Sequence, residues 1–230
     1  MLEVGGFTPL STPDWPDQLV AVVFVQGCPW RCHYCHNAGL QSRARDTPNA
    51  WSRALATLRQ RQGLLDGVVF SGGEPTLDPA LPEAMQTVRE LGFRVGLHTA
   101  GIYPDRLRAV LPLVDWVGFD VKTGFADYER VTAVPRSGAP VRQSLAWLLD
   151  AARARQLDFE IRTTWHPALQ DDQTLFDLAE QLSALGITDW QWQPCRPTPG
   201  SPPELATRWH PPSASLLEGV AQRGLRVVLR

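Results

Sequence analysis

Lysine is almost missing from this chain: of 22 Lys and Arg residues only Lys122 is lysine. Arginine carries the rest of the positive charge, as the codons of a GC-rich genome would favour. A position that keeps lysine against that bias is a candidate for chemistry that needs a compact, flexible ammonium rather than a planar fork. Excess charge is lacking too. The formal net charge of −2 excludes a broad polyanion-binding surface, so no nucleic-acid partner is expected. No apolar run approaches the roughly 18 residues needed to cross a membrane. The opening MLEVGGFTPLSTPDWP has no basic start followed by an apolar stretch, so it is not a secretory signal. A cytoplasmic protein without membrane association is expected. Cysteine is also sparse, but three of the four cysteines fall within eight residues. Such clustering in a cytosolic chain points to metal or redox chemistry, not to a disulfide framework.

What is present is a strand-then-helix alternation. Leu19–Gln26 (LVAVVFVQ) is a continuous apolar, β-branched run, the pattern of a strand buried on both faces. Further strands are predicted at Gly67–Ser71, Arg94–Thr99, Trp116–Val121, Phe159–Thr164, Trp190–Gln193 and Arg226–Leu229. Helices are predicted at Ala50–Gln62, Pro79–Leu91, Pro104–Leu111, Val141–Arg155, Asp172–Leu185 and Ser215–Gln222. With 43% apolar residues in 230, a single domain is expected over residues 1–230, with 1–18 as an N-terminal extension and 195–212 as a proline-rich loop. Strands joined by single helices imply a parallel sheet with right-handed crossovers. Six to seven units are too few for a closed eight-stranded barrel, so the expected fold is a partial, open-sided (β/α)6 TIM-like barrel. A doubly wound open sheet is the alternative.

The densest chemistry lies in Gly27-Cys28-Pro29-Trp30-Arg31-Cys32-His33-Tyr34-Cys35-His36-Asn37. Thiolates are soft ligands suited to iron–sulfur clusters or zinc. The spacing C-x3-C-x2-C can hold three corners of a cubane and leave one iron open to a substrate. The alternative, a non-enzymatic zinc module with His33 or His36 as fourth ligand, would usually need a second ligand pair, and none is visible. After the second predicted strand comes Ser71-Gly72-Gly73-Glu74-Pro75-Thr76, where paired glycines allow close backbone approach. After the third comes His98-Thr99-Ala100-Gly101, and after the fourth Asp120-Val121-Lys122, whose period-two spacing puts Asp120 and the lone lysine on one side. These motifs share one placement, the C-terminal ends of strands, where barrels and open α/β sheets build their sites. Arg162, on the fifth predicted strand, needs an anionic partner if buried. Cys195 and His166 are left out of the site, and Trp30, Trp165, Trp190 and Trp192 are read as core or rim aromatics.

The cysteine loop, with an aromatic residue just before its last cysteine, resembles the signature loop of the radical S-adenosylmethionine (SAM) superfamily, and the later motifs follow in that family's order. The resemblance implies a [4Fe–4S] cluster on Cys28, Cys32 and Cys35 and SAM on its open iron. It implies SAM contacts from Tyr34, near the adenine, and from Gly72, Gly73 and Glu74, with Glu74 an acceptor for the amino group. Thr99, Asp120, Lys122 and Arg162 complete the set, and Cys28, Cys32, Cys35 and Lys122 are the candidate catalytic residues. His98 stands where glycyl-radical activases carry aspartate, which bears on a bound monovalent cation. The segment from Gly6 to Pro16 and the run Val22-Val23-Phe24-Val25-Gln26-Gly27-Cys28, with Cys35-His36-Asn37 closing the loop, resemble the activating proteins of anaerobic ribonucleoside-triphosphate reductase. Pro16-Asp17 departs from that family's Pro-Gly. The resemblance implies reductive cleavage of SAM to a 5′-deoxyadenosyl radical that installs a glycyl radical on the reductase, with a flavodoxin-like electron donor. Activation of a pyruvate formate-lyase type enzyme, or a small-molecule reaction of the 7-carboxy-7-deazaguanine synthase type, is the alternative.

Overall fold

The computed structural model describes residues 1–43, 47, 50–155, 157–197, 202–206 and 211–230. It is an α/β protein whose described residues group into two compact units. The first comprises residues 1–29, 37–119 and 140–159, and the second residues 30–36, 120–139 and 160–230.

In the first unit, β1 (Val4–Ser11) pairs antiparallel with β2 (Val20–Val25), and β2, β3 (Gly67–Gly72), β4 (Arg94–Thr99) and β5 (Trp116–Asp120) then run parallel in chain order. β2 is the apolar run read from the sequence. Val20, Ala21, Val22 and Val23 are fully buried, as a strand covered on both faces must be. Helices α1 (Ala50–Arg59), α2 (Leu81–Glu90) and α3 (Pro104–Val110) are the crossovers. In α2 and α3 a proline occupies the first turn, where its missing N–H would have had no partner.

Residues 1–18, read as an extension, instead supply a strand and an anchor. β1 adds an antiparallel partner that the parallel-sheet expectation did not contain. Behind it Trp15 packs among Val20, Val22, Val69 and Trp116, stacked on the Trp116 ring at 5.5 Å with the Arg94 guanidinium 4.7 Å from its own ring centre. The site is matched to the indole: a Cβ on Gly96 would lie 2.8 Å from it.

Between β5 and the long helix α5 comes α4 (Tyr128–Thr132), which belongs to the second unit. Five residues are too few to show a 3.6-residue period, and the sequence reading passed over it. α5 (Gly138–Arg155) starts three residues earlier than its apolar period suggests, with Pro140 in its first turn. The strands β6 (Asp158–Trp165), β7 (Asp189–Pro194) and β8 (Arg226–Leu229) are parallel and adjacent in chain order, with α6 (Asp172–Ala184) and α7 (Ala214–Ala221) between them. Asp171 and Ser213 cap these two helices through side-chain oxygens that accept from Thr174 N and Leu216 N. Trp190 and Trp192 are buried, and Trp190 donates from Nε1 to Thr163 Oγ1 at 2.8 Å. Of the expected loop 195–212, residues 198–201 and 207–210 lie outside the described residues, and Pro203–Ala206 form a short 3-10 turn. Among the described residues no helix is long and apolar enough to cross a membrane.

Trp15 tests whether the N-terminal segment is integral to the first unit. Trp15→Ala should lower unfolding free energy by about 3–5 kcal/mol, the usual loss for a buried tryptophan, measured by urea denaturation. A loss below about 1 kcal/mol, the scale of an exposed position, would show the segment to be a dispensable strap.

Candidate active site

The motif residues of the first unit are assembled by backbone hydrogen bonds. Gly27 N donates to Leu40 O at 2.7 Å and Cys28 N to Gln41 O at 3.0 Å, which fixes the chain as it leaves β2. The loop after β3 is tied to the same segment, with Gly73 N donating to Val25 O and Glu74 N to Gly27 O. Both glycines of that loop are required. Gly72 has φ +122°, a conformation side chains rarely adopt, and a Cβ on Gly73 would lie 2.3 Å from Gly27 O. Asn37 braces the turn by donating from Nδ2 to Gly72 O at 3.1 Å.

Glu74 is 1% exposed, and its carboxylate faces inward. Oε1 accepts from Thr76 N at 3.1 Å, Thr76 Oγ1 at 2.6 Å and Thr99 Oγ1 at 2.8 Å, while Oε2 accepts from Ala100 N at 2.9 Å. Burial pushes the carboxyl pKa up, and the bonds from Thr76, Thr99 and Ala100 oppose that rise. Glu74 thereby pins the β3 loop to the end of β4. Thr99 is part of the same pin, and its Oγ1 also accepts from Gly101 N.

His98 resolves as a hydrogen-bonded strand-end residue. Its Nε2 lies 2.7 Å from Asp14 O, a carbonyl that can only accept, so Nε2 carries the hydrogen. Nδ1 is 3.3 Å from Ser71 Oγ, and the ring stands edge-on to Trp116. Both nitrogens are engaged, and the residue ties β4 to the N-terminal segment.

In the second unit the helix that sequence reasoning missed holds the cysteine loop. The last carbonyls of a helix have no partner within it. In α4, Thr132 O accepts from Arg31 N at 3.0 Å and Val131 O from His33 N at 3.3 Å. Trp30 meets Tyr128 edge-on at 5.9 Å, and Tyr128 Oη accepts from Lys122 N at 2.9 Å. Cys35 N donates to Cys32 O, closing the turn between those two cysteines. The nearest signal in the sequence was Asp127 ahead of Tyr128-Glu129-Arg130, a weak helix start without periodicity behind it.

Charge concentrates where β5 ends. Asp120 Oδ1 accepts from Arg162 Nε at 3.2 Å and Nη2 at 3.1 Å, and its Oδ2 is 3.5 Å from Lys122 Nζ. Arg162 and Lys122 are nearly buried, while the Asp120 side chain keeps 36% of its exposure. Two cations on one carboxylate leave an excess positive charge, which suits an anionic group. Burial disfavours the Lys122 ammonium, but Tyr34, Asp120, Cys32 and Tyr128 outweigh it and hold the pKa well above the usual lysine value. Burial drives the Tyr34 and Tyr128 phenols upward as well. Burial likewise raises the Cys32 thiol, with Lys122 pulling the other way. Arg162 sits within β6 rather than at its end.

Tyr34 is in a buried cluster with Val131, Cys195 and Leu205, its ring centre 5.5 Å from Lys122 Nζ and its hydroxyl without a hydrogen-bond partner among the described residues. Cys195 is a packing residue here, its thiol pushed up to about 11 by burial. His166 accepts at Nδ1 from Ala168 N within its own loop. None of the four cysteines is in a disulfide, and Cys28, Cys32 and Cys35 are all partly accessible. Three soft donors in one eight-residue segment fit an iron–sulfur cluster.

The description of the radical SAM superfamily matches residues 22–174, a span that takes in every one of these motifs. A protein of Methanocaldococcus jannaschii, provisionally named a glycyl-radical enzyme activating enzyme, is 31% identical over 78% of this chain and 75% of its own length. The pyruvate formate-lyase-activating enzyme of Clostridium pasteurianum is 34% identical over 106 residues, 44% of each chain. Among solved structures, a radical SAM methyltransferase from Sphaerobacter thermophilus superposes with a TM-score of 0.68 at 16% identity, over 96% of this chain and 68% of that one. That likeness shows the fold, the partial-barrel α/β class expected from the sequence. The family implies a [4Fe–4S] cluster and SAM, and its C-x3-C-x2-C cysteines are Cys28, Cys32 and Cys35. With the match covering more than half of its length, the chain belongs to the radical SAM superfamily, and it is a radical SAM enzyme.

Proposed function

We propose that this enzyme activates a glycyl-radical enzyme, with anaerobic ribonucleoside-triphosphate reductase as its target. The observation that carries the activase reading is the similarity, over most of both chains, to the M. jannaschii protein of that name. The choice of reductase rests on the N-terminal segment and the VVFVQGC strand. The match to a pyruvate formate-lyase activator favours that lyase as the second candidate target.

Bound together, the reduced cluster and SAM supply a 5′-deoxyadenosyl radical able to abstract hydrogen from glycine. The chain's own contribution is to hold and orient. Cys28, Cys32 and Cys35 would hold the cluster, for which a flavodoxin-like protein would be the electron donor. Lys122 and Arg162, balanced by Asp120, meet the SAM carboxylate. Gly72 and Gly73 offer backbone carbonyls to the SAM ammonium, while Glu74 and Thr99 keep that backbone in place. Tyr34 packs its ring against the Lys122 ammonium, beside the adenine contact read from the sequence.

Three results are expected. In anaerobically reconstituted protein, Cys28→Ala, Cys32→Ala and Cys35→Ala each abolish the [4Fe–4S] absorption, and Cys195→Ala leaves it in place; an intact cluster after loss of Cys28 would remove that ligand. Lys122→Arg weakens SAM binding by about 1.5–3 kcal/mol, the size of one charge-assisted bond, or roughly tenfold to a hundredfold in Kd. Unchanged affinity by calorimetry would take Lys122 out of the site. Given SAM and reductant, the enzyme generates a glycyl-radical doublet in electron paramagnetic resonance on the reductase of its own organism. A signal only on another glycyl-radical enzyme transfers the activity to that target, and productive SAM cleavage only with a small molecule overturns the activase reading.

A further inference from the structure

Glu160, Gln191 and Arg230 of the second unit have no part in the SAM contacts proposed above. Side chains alternate along a strand, so Glu160 shares its face of β6 with Arg162. Arg162 is in register with Gln191 of β7, and Gln191 with Val228 of β8, which puts Gln191 on that same face and Arg230, two residues beyond Val228, there as well. The ion pair between Arg230 and Glu160 agrees with this placement, since it reaches across β7. It is also the face on which Arg162 meets Asp120, and Asp120 meets Lys122.

Two acceptors on this face are buried and unpaired: Glu160 Oε2 and Gln191 Oε1 have no hydrogen-bond partner among the described residues. Gln191 is 9% exposed, and the Glu160 side chain 12%. A buried polar atom without a partner is costly, and native proteins keep only a few of them. Both atoms accept, so the missing partner is a donor. We propose that Glu160 and Gln191 form a substrate subsite that accepts hydrogen bonds from backbone N–H groups of the peptide segment carrying the target glycine. This rests on the activase reading. A glycine has no side chain to grip, so a protein that must place its Cα has only the flanking peptide groups to hold. An extended peptide presents uncharged N–H donors, which a carboxylate and an amide oxygen complement. The hydroxyls and amine of the SAM nucleoside are the other source of neutral donors, and the experiment below separates the two.

The probe is a short synthetic peptide centred on the radical-bearing glycine of the reductase, titrated anaerobically into the cluster-loaded, SAM-bound enzyme and followed by fluorescence anisotropy. Gln191→Met keeps the volume and touches no ion pair, and it should weaken peptide binding about tenfold, the usual effect of one lost hydrogen bond, with the SAM Kd moving less than about twofold. Glu160→Gln should act in the same direction. A peptide N-methylated beside the glycine should lose about as much on the wild type and nothing further on Gln191→Met, because both changes remove the same bond. Equal peptide affinity in wild type and both variants overturns the subsite. A weakened SAM Kd with peptide binding intact gives the acceptors to the nucleoside and overturns it also. If the wild type binds no glycyl peptide at all, the activase reading fails and the subsite with it, an outcome distinct from the other two.

Discussion

Burying a carboxylate is unfavourable unless donors replace the water it gives up, and this constraint shapes the ligand-facing end of the first unit. Glu74 is out of contact with solvent, and four donors converge on it from Thr76, Thr99 and Ala100. Two of those residues belong to the end of β4 and the loop after it. The carboxylate therefore decides where the β3 loop lies relative to β4. Gly73 can then approach Gly27 O more closely than any side chain would permit, and the Gly27–Cys28 segment is held from the other side by Leu40 and Gln41. Asp120 plays a comparable part in the second unit, where it aligns Arg162 and Lys122. In each unit an acid sets the geometry of its neighbours.

Regular elements with an uninterrupted pattern were readable from the residues alone. β2 was visible in LVAVVFVQ because burial on both faces leaves no room for a polar position. The ends of β3, β4 and β5 were visible in the motifs that follow them. What escaped lacked a pattern for physical reasons. β1 contains Gly5, Gly6 and Pro9, which break alternation, and it pairs through backbone. α4 is a turn and a half. The candidate site was legible as a set of residues but less so in its wiring. Nothing in the string Gly-Gly-Glu-Pro tells an outward carboxylate from an inward one, since that depends on Thr99 and Ala100, some 25 positions away. His98 likewise looked like a gap in a cation site until Asp14 and Ser71 were seen to occupy both its nitrogens.

A metal-binding loop faces a conflict: its thiols must be reachable, yet its backbone cannot be left to wander. Here the conflict is met by lending the loop the spare carbonyls at the end of α4, which fix Arg31 and His33 on either side of Cys32. Helix ends usually satisfy such groups with water or a capping glycine. Placing another segment there orders the loop without covering the sulfur atoms. Trp30, against Tyr128, adds an apolar anchor.

The scarcity of lysine has one more outcome. Amine-directed reagents, acylating esters and aldehydes among them, can find a single side-chain target in the whole molecule. That target is shielded by Tyr34 and drawn to Asp120. Protein chemistry that would scatter labels over an ordinary surface is confined here to this side chain and the α-amino group, which peptides from a digest tell apart. Occupancy around Lys122 is converted into the presence or absence of one added mass.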